Sequence, residues 1–394
     1  AYNETMERLW DDWVNVASPD GVLGFQGILS QAARTRRISG EVFIRARYRQ
    51  SNDGMSVPLQ LQVLDPDHVP EPLNEVRPDG NIVIAGVEFN RIGRRVAYWM
   101  YREHPTDVNV SATFNNTIRV SAASVIHHFA QTRPGQVRGE PDIVQALLRA
   151  QTYDKYENNE LVRKETKSVF TGFLRKDYSA NEDDWNYNPI TGEAVTGDAG
   201  LPDVTIEPGV INIGEMGEHL DLFGGDDTGV GYADFQKQQQ HAIAAGCKSL
   251  YQLTTGDWSG VNDRIYRAMI QEYRRELEAI QEHLVIHQIC ETVGRWFTEA
   301  AILNDAVSAV GYALAVDDFN RRDWRTHRWP HIHPTQDVDA TIKEIGNDLE
   351  SHDAAVAKRG SRAADVQRAN VKSRKRKQDL ETENKLTNTG GDDA

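Results

Sequence analysis

The spacing of hydrophobic positions changes several times along this chain, and each change marks an element. Over residues 1–17, Met6, Leu9, Trp10, Trp13 and Val14 fall on one face of a helical pattern. SPDG (18–21) predicts a turn, since proline presets φ and glycine supplies freedom after aspartate. Gly24 to Ile38 predicts a second helix, ended by Ser39 and Gly40. From Glu41 the period falls to two. Ile44, Ala46 and Tyr48 alternate with Arg45, Arg47 and Arg49, the pattern of a half-buried strand. Residues 58–65, 81–89, 94–101, 117–121 and 124–130 continue a mainly antiparallel sheet, joined by loops rich in proline and glycine.

After RPGQVRGEP (133–141) the pattern is helical from about Asp142 to Lys176. Strand-like runs such as 203–213 and turn signals such as NPITG and FGGDD follow, then a helix over 232–250. On that helix Phe235, Gln239, Ala242 and Gly246 recur three or four apart. This face of mostly small or polar groups suits close packing against a neighbouring helix or subunit. LTTGDWSGVN (253–262) leads into a far longer helix, where Ile265, Met269, Tyr273, Leu277, Ile280 and Leu284 form one apolar stripe. A helix from Asn262 to Ala301 would span about 60 Å at ~1.5 Å per residue. Such a rod belongs to a coiled coil or to a spoke in an assembly.

Composition narrows the choice. The chain has 394 residues, enough for two or three structural units. Mean hydropathy is −0.59, so much of its length must meet water or other subunits. No stretch approaches the ~20 apolar residues of a membrane span, which predicts a soluble chain with no membrane partner. AYNETMERLW is not a signal peptide, and its lack of a starting Met predicts residues missing upstream. Cys247 and Cys290 are the only cysteines, too few for a disulfide framework or a cysteine-built zinc site, and they point to a reducing compartment.

Net charge is −15, the wrong sign for tight DNA binding. The charge is uneven, however. Residues 177–227 hold thirteen carboxylates and no Lys or Arg, whereas the stretch after Lys358 is basic and ends in KSRKRK (372–377). That tail is expected to be solvated and partly disordered, with nucleic-acid contact as the alternative.

Candidate chemistry is sparse, and neither a catalytic residue nor a metal or cofactor is expected. HAIAAGCKS (241–249) lacks the first glycine of a phosphate-binding loop and interrupts the Gly-Lys pair with Cys247. In GDWSG (256–260) the serine is out of position for a nucleophile elbow. His283, His287 and Glu291 lie one helical turn apart and could offer three ligands, but Leu284 stands where the metalloprotease motif needs Glu. His327, His331 and His333 cluster in a proline- and aromatic-rich segment that reads better as a packed loop. GGDDTGVG (224–231) lacks calcium-loop spacing and reads as a hinge.

Taken in order, GFQGILSQAARTRRISGEVFIRAR, PLQLQVLDPDHVP, GVEFNRIGRRVAYWMYREHP, RPGQVRGEP, ENNELVRK, LTTGDWSGVN and GNDLESHDAAVAKRGSRAADVQ resemble the lambda-type bacteriophage portal family, from about Gly24 to about Arg368. Family members carry a further N-terminal stretch, so part of the outer wing is expected to be missing here.

The resemblance implies an α+β portal fold with a mixed wing, a helical stem, a small β-containing clip and a long radial wing helix. The implied divisions are 1–141 wing, 142–176 stem helix, 177–231 acidic clip, 232–250 second stem helix, 251–262 tunnel loop, 263–333 long wing helix and wing return, and 334–394 crown-like region with its basic tail. It also implies a ring of about twelve copies of this chain at one capsid vertex, a structural part without catalytic activity. Double-stranded DNA would pass through its channel without sequence specificity. The implied partners are the terminase large subunit, the major capsid protein and a head-completion or adaptor protein. The implied location is the virion, after assembly in the host cytoplasm.

Thr254, Thr255, Gly256, Asp257, Trp258, Ser259, Gly260 and Asn262 are the candidate tunnel loop, expected to be a flexible collar facing DNA, with Asn262 capping the next helix. Glu182, Asp183, Asp184 and Trp185 are the candidate docking residues of the clip. Two other readings remain: a DNA-processing enzyme or its regulatory subunit, and a tail or adaptor ring.

Overall fold

The computed structural model describes residues 2–50, 53–106, 116–169, 173–176, 218–221, 231–326, 329 and 334–389. Two compact units divide the chain. One joins Ala1–Gly139 to Arg274–Ala394, and the other is Glu140–Tyr273.

In the first unit, α1 (Tyr2–Trp13) buries Met6, Leu9 and Trp13, and α2 (Phe25–Ser39) buries Phe25, Ile28 and Ala32. For α1 this is the face its spacing predicts. Strand β1 (Glu41–Tyr48) departs from the half-buried pattern. It pairs on one edge with β2 (Leu59–Leu64) and on the other with β8 (Val125–Phe129). Its first four residues are buried on both faces, while Tyr48 is 51% exposed. Val42, Ile44 and Ala46 enter one core, and Phe43 enters a second on the opposite face.

The expected sheet is two sheets. β2-β1-β8 is one; the other is a five-stranded meander of β3 (Glu75–Val76), β4 (Ile82–Ile84), β5 (Val87–Phe89), β6 (Arg95–Tyr101) and β7 (Thr117–Ser121). Both are antiparallel. The run 81–89 forms two strands because Ala85 (φ 49°) and Gly86 (φ 77°) make a tight hairpin between them. Glu88, buried in that hairpin, is held by Arg119, Asn81 and Trp99.

The larger core draws on both segments of this unit. Trp13 donates its indole N–H to the Leu59 carbonyl at 2.7 Å, and Trp10 meets Phe297 edge to face at 5.0 Å. Trp296 donates to the Ala123 carbonyl at 2.9 Å.

In the second unit, α3 (Val144–Val169) ends short of the expected Lys176. Phe173–Lys176 form β9, paired antiparallel with β10 (Glu218–Asp221). α4 (Tyr232–Gly246) packs on α3 where Gly246 faces Ala146; a Cβ on the glycine would lie 3.0 Å from that of Ala146. The small-residue face thus meets a helix of its own chain. α5 (Tyr251–Thr255) follows.

The long helix is present. α6 (Asp263–Ile280) runs into a π-helical stretch (Gln281–Cys290) and then α7 (Glu291–Leu303), and the border between the two units falls within α6. No side chain of α6 is buried, whereas α7 buries seven residues, among them Trp296 and Phe297. α8 (Val316–Asn320), α9 (Pro334–Gly346), α10 (His352–Lys358) and α11 (Ala363–Thr389) complete the chain. The basic tail is helical through KSRKRK, and its side chains there are exposed. Among the described residues no helix is long and apolar enough to cross a membrane.

Candidate functional site: the 251–262 segment and the RPGQVRG anchor

The segment expected to be a loop opens with a helical turn, because Leu250 in an extended conformation lets Tyr251–Thr255 coil. Gly256 stops it in the left-handed region at φ 73°, its N–H bonded to the Gln252 carbonyl at 2.9 Å. Short polar side chains then close on the backbone. Thr254 Oγ1 donates to the Leu250 carbonyl at 3.0 Å, and Thr255 Oγ1 donates to the Tyr251 carbonyl at 2.9 Å. Thr255 Oγ1 in turn accepts from the Asp257 N–H.

Asp257 ties the segment together. One carboxylate oxygen accepts from the Ser259 N–H at 2.9 Å. The other accepts from the buried Tyr251 hydroxyl at 2.9 Å and lies 3.4 Å from Lys237 Nζ. Hydrogen bonds from the Ser259 side chain, the Ser259 backbone and Tyr251 hold this carboxyl well below its usual range, with the Lys237 charge adding to them. Tyr251 is also stacked on His241 at 3.8 Å.

Gly260 has φ 73°, and Asn262 caps α6 by accepting the Ile265 N–H at 2.9 Å, as its position predicts. Trp258 is 44% exposed and meets Tyr266 edge to face at 5.4 Å. The structure thus brings all eight candidate residues into one short turn. Its polar groups are largely committed to each other, which makes the segment a stitched turn. Trp258 and Ser259 remain turned to solvent.

Glu182, Asp183, Asp184 and Trp185, the 203–213 run, GGDDTGV (224–230) and His327, His331 and His333 lie outside the described residues. His283, His287 and Glu291 do not form a ligand set. His287 Nδ1 lies 3.3 Å from Glu291, and all three line an open cavity of about 1100 Å³ together with Glu278, Glu282 and Glu350. Among the described residues Asp65, Asp67 and His104 alone have ligand atoms close enough for one ion. His104 Nδ1, however, accepts from the Thr106 N–H. That nitrogen is therefore already engaged within the loop, and the two aspartates are exposed.

RPGQVRGEP carries no recognisable role as a string of letters; the structure gives it one. Glu41, 2% exposed, accepts from Arg138 Nε at 2.5 Å, His127 Nε2 at 2.8 Å and the Gly139 N–H at 2.6 Å. The Arg138 fork reaches on to the carbonyls of Val69, Ala85 and Pro66. Gln136 holds the turn by accepting from the Thr132 N–H at 2.8 Å and donating to the Arg138 carbonyl at 2.9 Å. Gly139 runs so close to the Gly40 carbonyl that no side chain fits.

Burial raises the Glu41 carboxyl, but the His127 hydrogen bond, the Arg138 charge and the Gly139 N–H bring it below its ordinary value. Burial depresses His127 to about 4, so at neutral pH it is an uncharged donor and Arg138 carries the balancing charge. Nothing local in the sequence marks this cluster, because Glu41 and Gly139 lie 98 residues apart.

A family model described as phage portal protein, lambda family, matches residues 1–281. A probable portal protein of Halomonas phage phiHAP-1 is 24% identical over 306 residues, covering 78% of this chain and 58% of that protein. The portal protein of Escherichia phage N15 is 20% identical over 386 residues, covering 91% of this chain and 71% of that one. Among solved structures, a chain from the neck of an empty GTA particle computed with C6 symmetry aligns with a TM-score of 0.45 at 13% identity, over 89% of this chain and 82% of that one. A chain from the neck of a native GTA particle computed with C12 symmetry aligns with a TM-score of 0.42 at 13% identity, over 80% and 83%.

Proposed function

Since the chain belongs to the lambda family of phage portal proteins, we propose that it is a structural subunit of the portal ring at one capsid vertex. The family match over residues 1–281 carries this reading. Physical support comes from α6. Its apolar stripe contains no buried residue within the chain, and such a stripe on a long helix is stable only when something covers it. A ring of about twelve copies offers that cover.

In this reading residues 1–141 are wing, α3 and α4 are the stem, and residues 177–231 are the clip, with β9 and β10 at its base. The 251–262 turn faces the channel, with Trp258 and Ser259 presented to double-stranded DNA as it is packaged and later ejected. Glu182, Asp183, Asp184 and Trp185 offer an acidic face to basic elements of the terminase large subunit and of a head-completion protein. The wing meets the major capsid protein, and the assembled ring resides in the virion. An acidic channel repels phosphates, so DNA slides without sticking.

The test is direct. Mass photometry of the purified chain at physiological salt should show closed oligomers, and end-on particle averages should show a central hole. A protein that stays monomeric at micromolar concentration, alone and with its capsid protein, would sink the reading.

A further inference from the structure

We infer that α11 is a binding helix for the phosphate backbone of duplex DNA. It is a 27-residue helix, and from Gln367 to Leu380 every side chain is exposed. Between Val366 and Gln378 it carries Arg368, Lys372, Arg374, Lys375, Arg376 and Lys377 and no acidic residue. At 3.6 residues per turn, Arg368, Lys372, Lys375 and Arg376 share one side of the helix. Arg374 and Lys377 project from the opposite side, so cations ring the helix here.

Such a placement is unfavourable in isolation. Arg368 and Lys372, and Lys372 and Arg376, are like charges one turn apart, and such pairs weaken a helix. Lys372, Arg374, Lys375 and Arg376 make no ion pair or hydrogen bond among the described residues, and Arg368 pairs with Asp365 at 3.6 Å with both exposed and also acts on the exposed Glu4. A polyanion laid along this side turns the repulsion into attraction.

The chemistry of the face selects the polyanion. A membrane-surface helix needs a broad apolar side opposite its cations. Val366, Val371 and Leu380 are the only large apolar residues over this stretch, and they do not make one. An acidic protein partner would be anchored through aromatic or aliphatic pockets, and the helix offers no aromatic residue. A duplex asks for neither. It presents a charge every ~1.7 Å, and its major groove is about as wide as a helix. The net charge of −15 does not oppose this, because exposed charges beyond ~8 Å are screened at physiological salt. Lys and Arg on phosphates carry no sequence information, so the binding is non-specific. The choice of duplex DNA rests on the portal reading; the polyanion site itself rests on the helix.

The experiment uses the full chain and a labelled random-sequence duplex of about 30 base pairs, read by fluorescence anisotropy across a salt series. The test variant combines Lys372→Gln, Arg374→Gln, Lys375→Gln and Arg376→Gln, which keep helix propensity. The control combines Arg8→Gln, Arg34→Gln, Lys155→Gln and Arg264→Gln, four exposed cations elsewhere.

The test variant should bind about tenfold or more weakly, with a salt slope shallower by about 0.9 for each phosphate it no longer neutralises. The control should bind like the parent. Equal binding by both variants, or no duplex binding by the parent, overturns the inference. Displacement by polyglutamate as readily as by unlabelled duplex overturns the assignment to DNA. Oligomer size is measured on the same samples, so a failed ring and a failed DNA contact are told apart.

Discussion

The carboxylate of Glu41 accepts the backbone N–H of Gly139 at 2.6 Å, fixing the last residue of the first unit before the chain crosses into the second. Its other partners, Arg138 and His127, make this a fully paired buried charge. Removing one member of such a group leaves the others unpaired and costs more than the group contributes when intact.

Glu41→Gln should therefore destabilise the protein by about 3 kcal/mol, since it strands the Arg138 charge in a buried site. Gly139→Ala should cost about 2 kcal/mol, since its methyl group would press on the Gly40 carbonyl and backbone must shift. Urea unfolding followed by tryptophan fluorescence reads both through the indoles of Trp10, Trp13 and Trp296. Parent-like midpoints would show that the exit from the first unit is not held in this way.

Acid should loosen the same region before the carboxylates titrate. Burial holds both His127 and His128 down to about 4, against about 6.5 in an unfolded chain. Burial sets the cost at His128, and the Gln288 hydrogen bond only partly offsets it. The Gln288 amide oxygen accepts from the Phe129 N–H and so must accept from His128 Nδ1, which leaves Nε2 bare, buried and without a hydrogen-bond partner. Between pH 6.5 and 4 the unfolded chain binds more protons than the folded one, so stability is fully present above 6.5 and falls as pH drops through this window. The slope approaches ~1.4 kcal/mol per pH unit per histidine. Replacing His128 with Asn should remove one proton from that slope, measured as unfolding free energy from pH 7.5 to 4.5.

In the 251–262 turn, Asp257→Ala removes the acceptor of both Tyr251 and Ser259. Amide exchange at Ser259 should speed up on the order of tenfold, a local opening, while the core amides of β1 and α7 exchange as before. Deleting 255–260 should likewise leave assembly intact and impair packaging or retention of DNA. A collapsed melting transition in the deletion would make the turn a packing element instead.

The acidic block offers the clearest electrostatic test. Glu182→Lys, Asp183→Lys and Asp184→Lys combined should leave ring assembly intact but weaken terminase docking or slow packaging, more so at low salt. Exposed charges act over only ~8 Å at physiological ionic strength, so an effect requires these residues to face the channel or a partner. Normal packaging by the triple variant across a salt series would leave the block a solubility feature.

What could be read in the sequence was whatever repeats locally. The face of α1, the helix α2, the antiparallel strands, the length of the 263–303 helix and the cap at Asn262 all follow from spacing and residue type. Features decided by distant partners were not legible. The double burial of β1 needs β8, some eighty residues away, and a second core beneath Phe43. The split of 81–89 depended on Ala85 accepting positive φ, which its type disfavours. The end of α3 before Lys176 was set by pairing with residues 218–221. In the 251–262 segment the residue types were legible, but their mutual pairing was not. Short polar side chains that look free in a string turned out to be one another's hydrogen-bond partners.

The division of the chain also sets a schedule for its synthesis. The first unit is interrupted by the whole of the second, and the partners that cover Trp10 and Trp13 include Phe297. Translation proceeds at ~5–20 residues per second, so α1, α2 and β1 emerge roughly twelve to sixty seconds before α7 can close over them. During that interval the nascent chain displays an uncovered tryptophan-lined face. A chaperone that recognises such faces would therefore engage the ribosome-bound chain early and be released only once α7 has been made.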